Sequence, residues 1–377
     1  MNILRTAVAI TVTGALTACG GSGDGSAIDD GAPPVAENPT PAEPAASVPF
    51  QELYDQGIDR YLGIYTPMLS ETVEDGSVTH HFGEGDGPLC YTGNPFSMST
   101  RDGNSAALLI FVQGGGVCGT RACEAVEDPI PLIDFGLLSA GDQNNPAADF
   151  NVGYIPYCDG TLFTGDRDFD SDEDGMDDRF FRGAQNLAAS LDVIASTYPA
   201  PSRILLAGNS AGGFGTHSAL PLVRRLYPDV TVDLINDSGT GILPPGAQDE
   251  LNAYWNAGNA YPTSCTECIG EDGNLTGYHR YQLAEDDNLR MGFISSTADE
   301  VVLSTSSLDQ ATFESELREA VNELETDFPD RFRSLISESE AHTFLLRRFD
   351  FTIADTTVRE WVAQMLADSD DWISRSE

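Results

Sequence analysis

Short apolar runs bounded by glycine and polar residues read as buried strands, and several stand along this chain. Ser202-Arg203-Ile204-Leu205-Leu206-Ala207 is one; Ala106 to Val112 and Leu289 to Ser296 are others, and a further strand leads into Asn236-Asp237. Helical patterns lie between them. One opens at Gly213 and continues to Leu226, a second is expected at about residues 328–337, and a last one follows residue 342. Residues 48–377 carry this succession with no second low-complexity break and no internal repeat. That length is large for one domain but ordinary for an α/β domain with a few insertions.

The first 47 residues follow a different pattern. Residues 1–18 read as a targeting segment: Arg5 supplies the positive charge, and Thr6 to Leu16 is an apolar stretch too short to span a bilayer stably. Leu16-Thr17-Ala18-Cys19 then resembles a bacterial lipobox, in which Cys19 becomes the lipidated first residue of the mature chain. Gly20 permits passage to an outer membrane, so the expected location is the cell envelope, periplasmic or surface-exposed, with a lipid as the sole membrane attachment. The alternative is ordinary signal cleavage nearby. Residues 19–47 hold almost no large apolar group and read as a flexible tether, because such a stretch cannot bury enough surface to offset its ordering entropy.

Six cysteines remain beyond Cys19, and an even number in an exported chain reads as three disulfides. Proximity along the chain suggests Cys118 with Cys123 and Cys265 with Cys268, leaving Cys90 for Cys158. No second CxxC or histidine pair accompanies Cys265 and Cys268, so a zinc site is the weaker reading.

The formal charge of −41, from 60 acidic against 19 basic residues, argues against a nucleic-acid partner. It also disfavours polyanionic substrates unless salt or divalent cations screen the repulsion. Within this acidity, Asp170, Asp172, Asp174 and Asp178 occupy positions 1, 3, 5 and 9 of a loop with Gly175 at position 6. Alternate carboxylates around a permissive glycine follow the start of a calcium loop. Phe181 stands where an EF-hand would place its bidentate glutamate, so the expectation is a structural calcium ion in a shorter loop, with a solvated acidic insertion as the alternative.

Gly208-Asn209-Ser210-Ala211-Gly212 sits between a predicted strand and a predicted helix, the setting of a nucleophile elbow. A serine hydroxyl needs a base, an orienting acid and an oxyanion hole. In α/β-hydrolases the chain order is nucleophile, acid, base, which removes His80 and His81. His217 falls on the helix behind the serine, and His279 lies in a polar region expected to be a loop; His342 is therefore the best candidate base. Asp299, at the exit of the 289–296 strand, is the first candidate acid, followed by Glu300 and then Asp237. Gln113-Gly114-Gly115-Gly116 after the strand ending at Val112 offers backbone donors for an oxyanion, joined by the N–H of Ala211.

Four stretches occur in order: Gln113-Gly114-Gly115-Gly116-Val117-Cys118, Tyr157-Cys158-Asp159-Gly160-Thr161-Leu162-Phe163-Thr164-Gly165-Asp166, Phe181-Arg182-Gly183, and Gly208-Asn209-Ser210-Ala211-Gly212-Gly213. Together they resemble the pectin acetylesterase/Notum family of serine carboxylesterases. The resemblance spans about residues 88–345 and implies an α/β-hydrolase-type fold: a mostly parallel central sheet with helices on both faces, stabilised by disulfides. It implies Ser210, Asp299 and His342 as nucleophile, acid and base, Gly115, Gly116 and Ala211 as oxyanion donors, and no catalytic cofactor. Two positions depart from the family pattern: Val117 stands where tryptophan is frequent, and Thr240-Gly241-Ile242 replaces bulky aromatics. The expected substrate is a short acyl ester, such as acetyl, on an extracellular polysaccharide. The alternatives are an esterase for longer acyl or lipid-type esters, and a non-catalytic surface protein that binds glycan or calcium.

Overall fold

The apolar runs line up as neighbours in one sheet. The computed structural model describes residues 48–377 apart from Glu84, Asp86 and Asp272; the expected leader, the tether and Cys19 lie outside the described residues. The main sheet begins with β1 (Leu69–Thr72), β2 (Val78–His81), β3 (Ser97–Arg101), β4 (Leu108–Val112) and β5 (Asn151–Ile155). After a small hairpin of β6 (Arg167–Phe169) and β7 (Arg179–Phe181) it continues with β8 (Ile204–Asn209), β9 (Val232–Asp237), β10 (Leu289–Ser296) and β11 (Phe332–Ser337). A second hairpin, β12 (Thr352–Ile353) with β13 (Thr356–Thr357), precedes the last strand, β14 (Arg375–Ser376).

The strands stand in the order β1-β2-β3-β5-β4-β8-β9-β10-β11-β14. The pairs from β1 to β5 on that edge are antiparallel, and every pair from β5 and β4 to β14 is parallel. Parallel strands need crossover connections, which α-helices supply everywhere except between β4 and β5. The first helix precedes the sheet, and the described residues form eight α-helices. They are α1 (Gln51–Asp55), α2 (Gly183–Thr197), α3 (Ala211–Leu226), α4 (Ala247–Trp255), α5 (Thr276–Glu285), α6 (Glu300–Ser306), α7 (Gln310–Asp327) and α8 (Val358–Leu366).

Successive residues of the central strands feed two cores. Leu108, Ile110 and Val112 of β4 face a core closed by Leu191 and Ile194 of α2, Leu220 and Val223 of α3, and Leu317 and Leu324 of α7. Leu109 and Phe111 face the opposite core, closed by Trp361, Val362 and Met365 of α8. This is the mostly parallel, helix-flanked sheet of an α/β-hydrolase-type fold. Three disulfides join Cys90 to Cys158, Cys118 to Cys123 and Cys265 to Cys268. Among the described residues no helix is long and apolar enough to cross a membrane.

Two sequence expectations need correction. The stretch at about 328–337 is not a helix: α7 ends at Asp327 and residues 332–337 form β11. Phe332, Leu335 and Ile336 fall at helical spacing because β11 lies between β10 and β14 and is covered on both faces, so polar residues do not alternate along it. His279 is likewise not in a loop but buried on α5, its ring tilted 41° against that of His217 with centroids 4.2 Å apart.

All 19 basic residues of the chain are arginines. Three of them hold buried aspartates. Arg224 pairs with Asp286 at 2.6 Å with both side chains buried, and Arg203 and Arg290 share the buried Asp233 at 2.7 Å each.

Candidate active site

The turn from β8 to α3 carries Ser210 with φ 55° and ψ −124°, a conformation that costs a non-glycine residue roughly 1–3 kcal/mol. The surroundings impose it. A Cβ on Gly208 would lie 2.1 Å from the Gly212 oxygen, and one on Gly212 would lie 2.0 Å from the Val112 oxygen. Only glycines on either side let α3 start this close to β4. The Ser210 N–H donates to the Asp237 oxygen at 2.7 Å, tying the turn to the end of β9.

The helix behind the serine contains Pro221, which has no N–H for the carbonyl four residues back, that of His217. Gln282 of α5 fills the gap: its Nε2 donates to the His217 oxygen at 2.8 Å, and its Oε1 accepts from His217 Nδ1 at 2.9 Å. His217 Nε2 accepts from Asn236 Nδ2 at 2.8 Å. Burial draws the His217 pKa down to about 4, against a smaller upward pull from Gln282. A neutral imidazole with both nitrogens engaged is a structural group. His80 is also occupied, with Nδ1 2.9 Å from Ser70 Oγ and Nε2 2.9 Å from Thr100 Oγ1 on the antiparallel edge of the sheet.

His342 stands in the loop after β11. Its Nδ1 lies 2.9 and 2.8 Å from the two carboxylate oxygens of Asp299, so Nδ1 carries the proton. Nε2 is then an acceptor; it is buried and has no hydrogen-bond partner among the described residues. No hydrogen bond joins Ser210 to His342 Nε2 among the described residues. Asp299 is fully buried and is the N-cap of α6, where Oδ1 accepts from the N–H groups of Val301 and Val302 at 3.1 and 3.0 Å. These donors hold the carboxylate in one orientation, aimed at the imidazole. Glu300, one residue on, is exposed. Asp237 is buried but does not address the imidazole; its Oδ2 accepts from the N–H groups of Phe344 and Leu345, both at 2.8 Å.

The glycine loop leaves β4 beside this turn. Gly114 N–H donates to Asn209 Oδ1 at 3.3 Å. Gly116 has φ +86°, and a Cβ there would lie 1.8 Å from the Glu124 oxygen. Among the described residues no backbone acceptor takes the N–H groups of Gly115, Gly116 or Ala211. The loop is braced from behind: Val126 N–H donates to Gly115, Glu124 N–H to Val117, and Cys118 N–H to Gly160. Trp255 Nε1 donates to the Cys118 oxygen at 2.7 Å. That tryptophan lies 137 residues away in sequence, and nothing local marked it.

The acidic loop between β6 and β7 brings the carboxylates of Asp170, Asp172 and Asp174 within 4.8 Å of one another. Asp178 is not in that group; it accepts from Ser171 N–H and Oγ at 2.8 Å each.

No curated protein matches the chain. Residues 84–245, which include the glycine loop, Ser210 and Asp237 but stop short of Asp299 and His342, match the family model described as pectinacetylesterase, and this match supports placing the chain in the pectin acetylesterase/Notum-like family.

Proposed function

We propose that the protein is a serine carboxylesterase, lipid-anchored through Cys19 in the cell envelope, that removes acetyl groups from polysaccharides. The family suggests a carbohydrate esterase or deacetylase, and so a carboxylic ester hydrolase. The observation that carries the finer reading is the imidazole of His342, held at Nδ1 by both oxygens of Asp299, with Nε2 unpartnered among the described residues, in the loop after β11 at the same carboxyl edge of the parallel strands as the strained Ser210 turn.

The chemistry follows from these atoms. Ser210 Oγ attacks the ester carbonyl while its proton passes to His342 Nε2, and the imidazolium is stabilised by Asp299. The carbonyl oxygen becomes an oxyanion met by the N–H groups of Gly115, Gly116 and Ala211; losing one such donor costs ~2.7–4 kcal/mol of transition-state stabilisation. Collapse expels the sugar alcohol, which takes the proton from Nε2 and leaves an acetyl ester on Ser210. Water then gives a proton to His342 Nε2 and attacks that ester, releasing acetate and restoring Ser210 and the neutral imidazole.

The test is acetate release from a panel of acetylated polysaccharides, with Ser210→Ala beside the wild type. Release by the wild type and not by the variant is expected. Equal release by both would reject Ser210 as nucleophile. A wild type that cleaves octanoyl esters in preference to acetyl esters would reject the deacetylase and leave an esterase for longer chains.

A further inference from the structure

The loop that carries His342 has no helix or strand of its own, yet its imidazole must be held to a fraction of an ångström for proton transfer. Three consecutive N–H groups follow the histidine, and all three end on one pair of residues 105–108 positions earlier. Thr343 N–H donates to Ser238 Oγ at 3.1 Å. Phe344 and Leu345 donate to Asp237 Oδ2 at 2.8 Å each. The main chain of the same pair reaches the other way: the Asp237 carbonyl accepts the N–H of Ser210 at 2.7 Å, and Ser238 N–H donates to Ile294 of β10 at 2.8 Å. Ser238 adopts φ +62° to make both contacts.

We propose that Asp237 is a positioning residue for the hydrolysis, a buried carboxylate that clamps the base-bearing loop to the strand end that also holds the nucleophile turn. It does not touch the imidazole ring or the substrate. The inference rests on the serine esterase reading above.

The charge on Asp237 matters because hydrogen bonds to an ionised acceptor are roughly twice as strong as those to a neutral one. The charged and titratable groups facing it are His342 on the loop and Asp299 from the turn after β10. Burial raises the Asp237 pKa to about 6; the Leu345 and Phe344 N–H groups and His342 draw it down, and Asp299 pushes it up. Protonation as the pH falls through that value converts the clamp to its weaker neutral form while the loop stays in place.

Asp237→Asn imitates the neutral acid with nearly the same shape. Steady-state kinetics on an acetylated polysaccharide, run across pH with wild type and variant, provides the test. Above about pH 7, kcat of the variant should be lower by about tenfold with KM within about twofold, because binding groups are untouched. Below about pH 5 the two enzymes should converge, because the wild-type carboxyl is then neutral as well. A wild-type to variant ratio that stays constant across pH, or a change in KM alone, would overturn the proposal. Ser238→Ala removes the third anchor together with the long 3.4 Å hydrogen bond from its hydroxyl to Asp237 Oδ1, but it leaves the carboxylate in place, and its kcat should fall severalfold at every pH. Should Asp237→Asn not fold, an unchanged kcat in Ser238→Ala overturns the clamp. Absence of ester turnover in the wild type would overturn the esterase reading and the clamp with it, whereas wild-type turnover with a flat ratio overturns the clamp alone.

Discussion

Asp299 serves two masters through one carboxylate. It orients His342 and it caps α6, and the two roles separate under substitution. Asp299→Asn keeps an oxygen for the Val301 and Val302 N–H groups, so thermal stability should hardly move, since asparagine caps about as well as aspartate. Its amide offers the wrong tautomer to the imidazole, and kcat should fall on the order of 10⁴-fold. Asp299→Ala should lose the activity and, in addition, about 1 kcal/mol of stability from the cap. Melting curves beside turnover separate these outcomes; an Asp299→Asn variant of normal activity would move the acid elsewhere. Spacing alone could not choose between Asp299 and Glu300, which differ by one residue of register. Burial distinguishes them, and burial depends on how the turn after β10 packs, which is not a property of the local sequence.

At the level of elements, the strand–turn–helix around Ser210 was legible because glycine, serine and a short apolar run leave few alternatives there. β8 runs to Asn209, two residues past the expected strand end, and α3 begins at Ala211 directly after the serine. β10 matched its expected bounds. β11 did not look like a strand because full burial erased its alternation, and α5 was missed because its polar face, including Gln282 and His279, points into the protein. That inward polarity has a purpose, since Gln282 supplies the hydrogen bond that Pro221 removes from α3. Gln282→Leu would leave the His217 Nδ1–H buried and unpaired and its carbonyl with only the long 3.5 Å contact from the Tyr278 hydroxyl. The expected loss is about 1–3 kcal/mol, read as a lower urea midpoint with an unchanged slope. A midpoint equal to wild type would show that α3 finds another partner.

The whole molecule divides its candidate chemistry between two stretches of chain. Residues up to 245 bring Ser210, the glycine loop and Asp237; the turns after β10 and β11 bring Asp299 and His342. The parallel order of β8, β9, β10 and β11 puts the carboxyl ends of all four at one edge, which is where these side chains meet. The candidate nucleophile stands in a motif; chain order only narrowed the candidate acid and base, because neither sits in a motif of its own. Net charge is the other global property. With −41 on the chain, self-repulsion opposes compaction, and salt should relieve it. The melting temperature should therefore rise between about 0.1 and 1 M sodium chloride, as the screening length falls from ~10 to ~3 Å. A fall over that range would mean that the arginine–aspartate pairs outweigh the repulsion.

Those pairs have a chemical corollary. Every cation in the sequence is a guanidinium, so no side chain carries a primary amine. The open-chain aldehyde of a reducing sugar condenses with amines to form Schiff bases, and lysine is the usual victim in proteins that spend their time among carbohydrates. This chain offers such aldehydes no ε-amino group to attack.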